Sequence, residues 1–216
     1  PRVYNWILDN FHEETIIEAD DDLQKVYAWG GSGGRRIWSS LTDPNDVQQI
    51  LENGAQIAQD VGATTFGWTK TQNAGMSQCD HKPYKMTGLV ANVFGVRGAA
   101  RYRYYDPDMI GRASVDWTLR TLLEDRFVLI DQRVYFDCGT IFGGKGGNSG
   151  MISLEHFQKA TENLKERWGR HIRFGTNKGS MKKNKRVTQS GSVSSQNQGD
   201  RQVSIHVTRK SQGATK

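Results

Sequence analysis

At 216 residues with 36% apolar and 24% charged side chains, the chain has the composition of a folded protein, long enough to bury a sizeable core in one domain with room for an appendage. No apolar run approaches the ~20 residues of a membrane span and no secretory signal is visible, so a soluble, intracellular protein is expected. The net charge of +6 is uneven. Of the 29 Lys/Arg and 23 Asp/Glu residues, eleven of the basic ones and only one acid, Asp200, lie from Gly169 onward, which leaves 18 basic against 22 acidic before it, a net −4. Cys79 and Cys138 match no zinc spacing and suit buried free thiols in a reducing compartment.

In chain order, Tyr4 to Phe11 is amphipathic, with Trp6, Ile7 and Phe11 able to share one face, and predicts a short helix. "TIIEA" (15–19) predicts a buried strand that runs directly into Asp20, Asp21 and Asp22. "WGGSGGRRIW" (29–38) reads as a flexible loop with aromatic edges. Thr42-Asp43-Pro44 opens a helix with Asp43 or Thr42 as N-cap and Val47, Ile50, Leu51, Ala55, Ile57 and Ala58 as its apolar stripe; Gly62 ends it. "TTFGWTK" and "GLVANVFGVRG" predict strands whose glycines leave room for backbone or ligand to approach. "SVDWTLRTLLEDR" predicts a helix carrying Trp117, Leu119, Leu122 and Leu123, followed by the strand "FVLID". "FGGKGGNSG" (142–150) is a second glycine loop, and Leu154 to Trp168 is a charged amphipathic helix. Beyond Phe174 the composition turns to Ser, Gly, Gln and Lys. Helices interleaved with strands predict an α/β domain over residues 1–174 and a flexible basic extension over 175–216.

The aspartate triplet is the sharpest chemical signal. Like charges this close repel, and a carboxylate is costly to desolvate, so the cluster calls for a cation, a helix N-terminus or open water. Asp20 and Asp22 at a strand end can bind Mg²⁺ or Mn²⁺ and leave positions open for phosphate oxygens. Asp116, at the start of its helix, is either a general base for an acceptor hydroxyl or an acid favoured by the helix dipole. The loop of Lys145, Gly146 and Gly147 can cradle a diphosphate with backbone N–H groups and one cation. His171, beside Arg170 and near Arg173, can join a metal or phosphate site. Lys182, Lys183, Lys185 and Arg186 in the tail can neutralise DNA phosphates without sequence preference.

Taken in order, "YNWILDNFHEETIIEADDDL", "DPNDVQQILENGAQIAQDVGATTFGWTK", "KPYKMTGLVANVFGV", "YYDPDMIGRASVDWTLRTLLEDRFVLIDQRVYF", "FGGKGGNSG" and "RWGRHIRF" resemble the TET-associated glycosyltransferases, a GT-A-like family found largely in bacteriophages. The resemblance covers roughly Asn5 to Phe174. It implies a GT-A-like mixed sheet flanked by helices, N-terminally incomplete because the family's usual N-terminal nucleotide-binding strands would precede Pro1. It further implies metal-dependent transfer of a sugar from a nucleotide-sugar donor to a hydroxymethylated pyrimidine in DNA, in the cytoplasm of a phage-infected bacterial host. Carried over by position, Asp20 would contact the nucleotide ribose or the metal, Asp22 would ligate the metal bridging the diphosphate, and Asp116 would face the acceptor. The other function class these residues allow is a non-catalytic DNA-binding or structural protein on a degenerate transferase domain. A two-metal nuclease ranks behind both, because no second set of carboxylates can be identified.

Overall fold

A computed structural model describes residues 1–32, 35–70, 72, 82–138, 154–174 and 203–205. Helix α1 (Arg2–Asn10) leads into β1 (Thr15–Ala19), then β2 (Lys25–Ser32), β3 (Arg35–Leu41), α2 (Pro44–Asp60), β4 (Thr65–Thr69), β5 (Tyr84–Lys85) and β6 (Val93–Arg97). A short 3₁₀ turn (Gly98–Tyr102), α3 (Ala113–Glu124), β7 (Leu129–Asp137), α4 (Leu154–Trp168), a second 3₁₀ turn (Gly169–His171), β8 (Ile172–Phe174) and β9 (Val203–Ile205) complete it.

Seven strands form one open, mixed sheet in the order β1-β6-β4-β7-β2-β3, with β5 antiparallel to the start of β7. β6 is antiparallel to both β1 and β4, and β4 is parallel to β7. It follows that β1, β4 and β7 all point the same way and end on the same side of the sheet. β8 and β9 form a separate two-stranded ribbon, so three residues of the basic extension return to pair beside the helical layer.

The sequence explains which faces are covered. α2 begins where Pro44 supplies a preset φ and the Asp43 carboxylate accepts from the Asn45 N–H at 2.8 Å, and its predicted stripe packs with Phe66, Trp68, Val134 and Phe136 on one face of the sheet. The other face, over β1, β6, β4 and the start of β7, buries Ile16, Phe94, Val96 and Ile130 beneath α1 and α3. α3 and α4 share a third cluster of Met109, Val115, Leu119, Leu164 and Ile172.

Three expectations change. On α1 it is Tyr4, Ile7 and Leu8, at helical spacing, that face inward; Trp6 and Phe11 are 58% and 47% exposed. Residues 29–32 and 35–38 of "WGGSGGRRIW" are strand, the end of β2 and the start of β3 in one hairpin, and Trp29 pairs with Trp38 across the ladder. Alternation in "KVYAW" and "RIWSSL" carries that hairpin more strongly than the intervening glycines oppose it. The space left by Gly95 is taken by protein, since a Cβ there would lie 2.1 Å from Phe66 Cζ.

Candidate functional site

β1, β4 and β7 end at Ala19, Thr69 and Asp137, so the residues that follow, Asp20, Lys70 and Cys138, come to one rim of the sheet. Residues 20–24 cross that rim. The Asp20 N–H donates to the Asn92 carbonyl at 2.8 Å, and the Gln24 N–H donates to the Asp137 carbonyl at 2.8 Å, which stitches the crossing loop to β6 at one end and β7 at the other. Asn92 holds this position with φ 67, a left-handed conformation that Asn tolerates better than most residues.

Across this rim, one ligand atom each from Asp20, Asp22 and Cys138 lies within 4.8 Å of the others. Asp22 is exposed, Asp20 is half-buried and Cys138 is buried. The two carboxylates, with an open side at Asp22, are oxygen donors of the kind a hard divalent cation takes, whereas a sulfur ligand suits a softer ion. The Tyr4 hydroxyl donates to Asp20 Oδ1. Burial pushes the Asp20 pKa up, Tyr4 opposes this, and the neighbouring Asp22 charge adds to the rise. Burial first, then Asp20 and Asp22, pushes the Cys138 thiol up to about 12, so the sulfur carries its proton toward Asp22 at neutral pH.

Lys70 supplies the local positive charge. The residue is exposed, and desolvation lowers its pKa against the raising effect of Asp20. Behind Asp20 lies a second acid, Glu18, 2% exposed and on the core-facing side of β1. Tyr105 donates to Glu18 Oε2 at 3.3 Å, while Oε1 is buried with no hydrogen-bond partner. Burial, the largest cause, raises the Glu18 pKa to about 8. Tyr4 and Tyr105 rings sit 5.1 Å apart, Tyr105 stacks on Trp117 at 4.6 Å, and Asn5 brackets the Tyr105 backbone with bonds of 2.8 and 2.6 Å. The "YN" of α1 therefore fixes the carboxylates from behind.

Asp116 lies elsewhere in the fold, 0% exposed on α3. Its Oδ1 accepts from Arg167 at 3.0 Å and from the Trp168 indole at 2.8 Å, and Arg120 Nε lies 3.1 Å from Oδ2. Arg167 also reaches Asp106 at 2.6 Å. His171 is outside the metal-capable group; its Nε2 accepts from Arg170 Nε at 3.0 Å. Lys145, Gly146, Gly147, Lys182, Lys183, Lys185, Arg186 and Cys79 lie outside the described residues.

Lys70, Cys138, Glu18, Tyr4 and Tyr105 are the neighbours that sequence reasoning missed. Lys70 and Cys138 each directly follow a strand, and the parallel pairing of β4 with β7, once known, places both at the rim. No family model, no curated protein and no solved structure matches this chain. The fold and the rim cluster define it, at the level they reach, as an α/β protein whose acidic group gathers at the carboxyl ends of its parallel strands. No helix among the described residues is long and apolar enough to cross a membrane.

Proposed function

We propose that the protein is a metal-dependent glycosyltransferase with a GT-A-like sheet, moving a sugar from a nucleotide-sugar donor to a hydroxymethylated pyrimidine base in DNA. The observation that carries this reading is the meeting of Asp20, Asp22 and Cys138 at the rim where β1 and β7 end, beside Lys70. Ligands of open α/β sheets bind outside the carboxyl ends of the strands, where side chains can converge without breaking the ladder.

In this reading Asp20 and Asp22 hold Mn²⁺ or Mg²⁺. When bound, the cation offsets the charge of the diphosphate and so stabilises it as the leaving group. Tyr4 orients Asp20, leaving its second oxygen for the cation, and Lys70 faces the leaving diphosphate. The 20–24 loop, tied at both ends, holds Asp22 over the rim. Asp116 enters as a positioning residue that joins α3 to α4, because its buried carboxylate is taken up by Arg120, Arg167 and Trp168.

The test is a calorimetric titration of the whole chain with Mn²⁺ and uridine diphosphate, paired with transfer of labelled sugar to hydroxymethylated and plain DNA. Asp22→Asn should weaken metal-dependent diphosphate binding by at least the about 10- to 100-fold that loss of an outer-shell partner costs. Equal binding by the variant removes Asp22 from the site, and absence of transfer to hydroxymethylated DNA with any common nucleotide-sugar sinks the transferase reading.

A further inference from the structure

The face of the sheet opposite α2 changes character at β7. Over β1, β6, β4 and the start of β7 it is covered by α1 and α3, but over the end of β7, β2 and β3 it carries Tyr135, Tyr27, Trp29 and Trp38. Tyr27 pairs with Tyr135 and Trp29 with Trp38 directly across the ladder, so all four project on one side. The rings form a continuous set: Tyr27 to Tyr135 at 6.0 Å stacked, Trp38 to Tyr135 at 6.4 Å and Trp29 to Trp38 at 5.4 Å, both edge-on. All four are half-buried, and none belongs to any of the three apolar clusters among the described residues. Their strand neighbours Val26, Val134 and Phe136 turn the other way and pack under α2.

Cross-strand aromatic pairs stabilise a hairpin by themselves, about 0.2–1 kcal/mol each, and that explains one pair at a turn. It does not explain why the row begins at the acidic rim. Tyr135 donates to Asp137 at 3.1 Å, Asp137 precedes Cys138, and the Asp137 carbonyl holds the Gln24 N–H of the crossing loop. From there the row runs away from the rim along β2, two residues or about 7 Å per step. It ends near the far end of the hairpin, where Arg36 pairs with Gly31 at a register position on the same face. Lys25 opens β2 at the rim end. A row of half-exposed rings with basic residues at both ends is the arrangement that proteins use for unstacked nucleic-acid bases, with rings taking the base faces and cations the phosphates.

We propose that Tyr27, Trp29, Trp38 and Tyr135 form a stacking platform for unpaired DNA bases, delivering a single-stranded or extruded segment to the acidic rim. The proposal deepens the reading of the chain as an enzyme acting on DNA bases and rests on it for the identity of the strand. A transferase acting on a base in duplex DNA has to expose or extrude it, and the platform gives the unstacked bases a partner beside the reacting centre.

The test uses the full chain and a labelled thymidine oligonucleotide, with an abasic oligonucleotide of equal length as the phosphate-only control. Base-bearing DNA should bind more tightly than abasic DNA and quench tryptophan fluorescence. Trp38→Leu should weaken binding of the base-bearing strand by about 5- to 150-fold, the range that stacking of one base spans. Trp38→Phe, which keeps a ring face, should recover most of that loss. Metal-dependent diphosphate binding should be unchanged in both variants, so that failure of the platform and failure of the transferase reading show up in different measurements. Equal affinity of the unmodified chain for base-bearing and abasic strands overturns the proposal without needing any variant to fold. Equal affinity of Trp38→Leu and the unmodified chain for the base-bearing strand overturns it as well. So does quenching by free uridine diphosphate that the oligonucleotide cannot compete away, which would assign the rings to a mononucleotide.

Discussion

The fold holds a buried acid in each of two places, Asp116 on α3 and Glu18 behind the rim, and treats their surroundings oppositely. On α3, Asp116 is enclosed by Arg120, Arg167 and the Trp168 indole, so its charge is met within the protein. At the rim, Glu18, Asp20 and Asp22 are backed by tyrosines and a thiol, which donate hydrogen bonds but carry no charge; Lys70 acts on Asp20 and the Pro1 ammonium on Glu18, and no side-chain ion pair closes on any of the three among the described residues. A buried acid whose charge is neutralised in place is built into the fold. Acids left short of positive charge at an open rim are held by the rest of the fold at a cost to stability, which a bound cation would remove. The difference separates an anchor from a candidate site more sharply than burial does, since Asp116 and Glu18 are both buried.

The largest effect should come from breaking the anchor. Asp116→Ala takes the carboxylate from Arg120 and leaves Arg167 with Asp106 alone, and removal of one partner of a buried pair typically costs about 3–5 kcal/mol. Arg167 is 42% exposed and can turn to water, which places the expected loss near about 3 kcal/mol, read by urea denaturation. Asp116→Asn keeps an acceptor for Arg167 and Trp168 and should lose less. A normally stable Asp116→Asn protein with turnover down by ~10²-fold or more would restore Asp116 as general base and erase the contrast.

At the rim the expected signature is in pH. Glu18 ionises near 4.5 when unfolded and near 8 when folded, so between those values the folded state binds the extra proton. Stability therefore falls as pH rises from about 4.5 to 8, by up to ~1.4 kcal/mol per unit and a few kcal/mol across the window. Glu18→Gln should flatten that fall. A parent protein whose stability is level over the window would show that Glu18 is already compensated and that the rim resembles the anchor.

Parts of this contrast are legible in the sequence, and the rest has a physical reason for being hidden. β1, α2 and α4 follow from local periodicity and the Asp43-Pro44 start, and their bounds fall within a residue or so of the pattern. The hairpin 25–41 is obscured because the run of five small residues at 30–34, three of them inside β2, reads as a loop and interrupts the alternation on either side. Asp20 and Asp22 announce themselves as a run. Lys70, Cys138 and the clamp on Asp116 do not, because each depends on a partner more than 45 positions away that only the sheet order or the α3–α4 contact brings near. Tyr4 illustrates the same limit: the sequence marks it only as the start of α1, and it is the group that holds Asp20.

The smallest change in stability should come from Asp20→Asn, and it is the one that tests the comparison most closely. Asn keeps an oxygen to accept the Tyr4 hydroxyl and removes a charge that raises the pKa values of Glu18 and Cys138. Relief of that repulsion opposes loss of the attraction to Lys70, so the net change should lie within about 0.5 kcal/mol of zero in the absence of metal. The direction of linked shifts is fixed: without Asp20, the Glu18 and Cys138 pKa values should both fall, because one of the charges raising each is gone. In the presence of Mn²⁺ the outcomes should separate. The parent chain should gain thermal stability as the ion is added, since a ligand that binds only the folded state stabilises in proportion to its occupancy, whereas Asp20→Asn should gain little. A parent melting temperature indifferent to Mn²⁺ would mean that the rim acids are tolerated, not held ready for a cation. A variant that lost several kcal/mol without metal would mean that Asp20, like Asp116, is part of the frame.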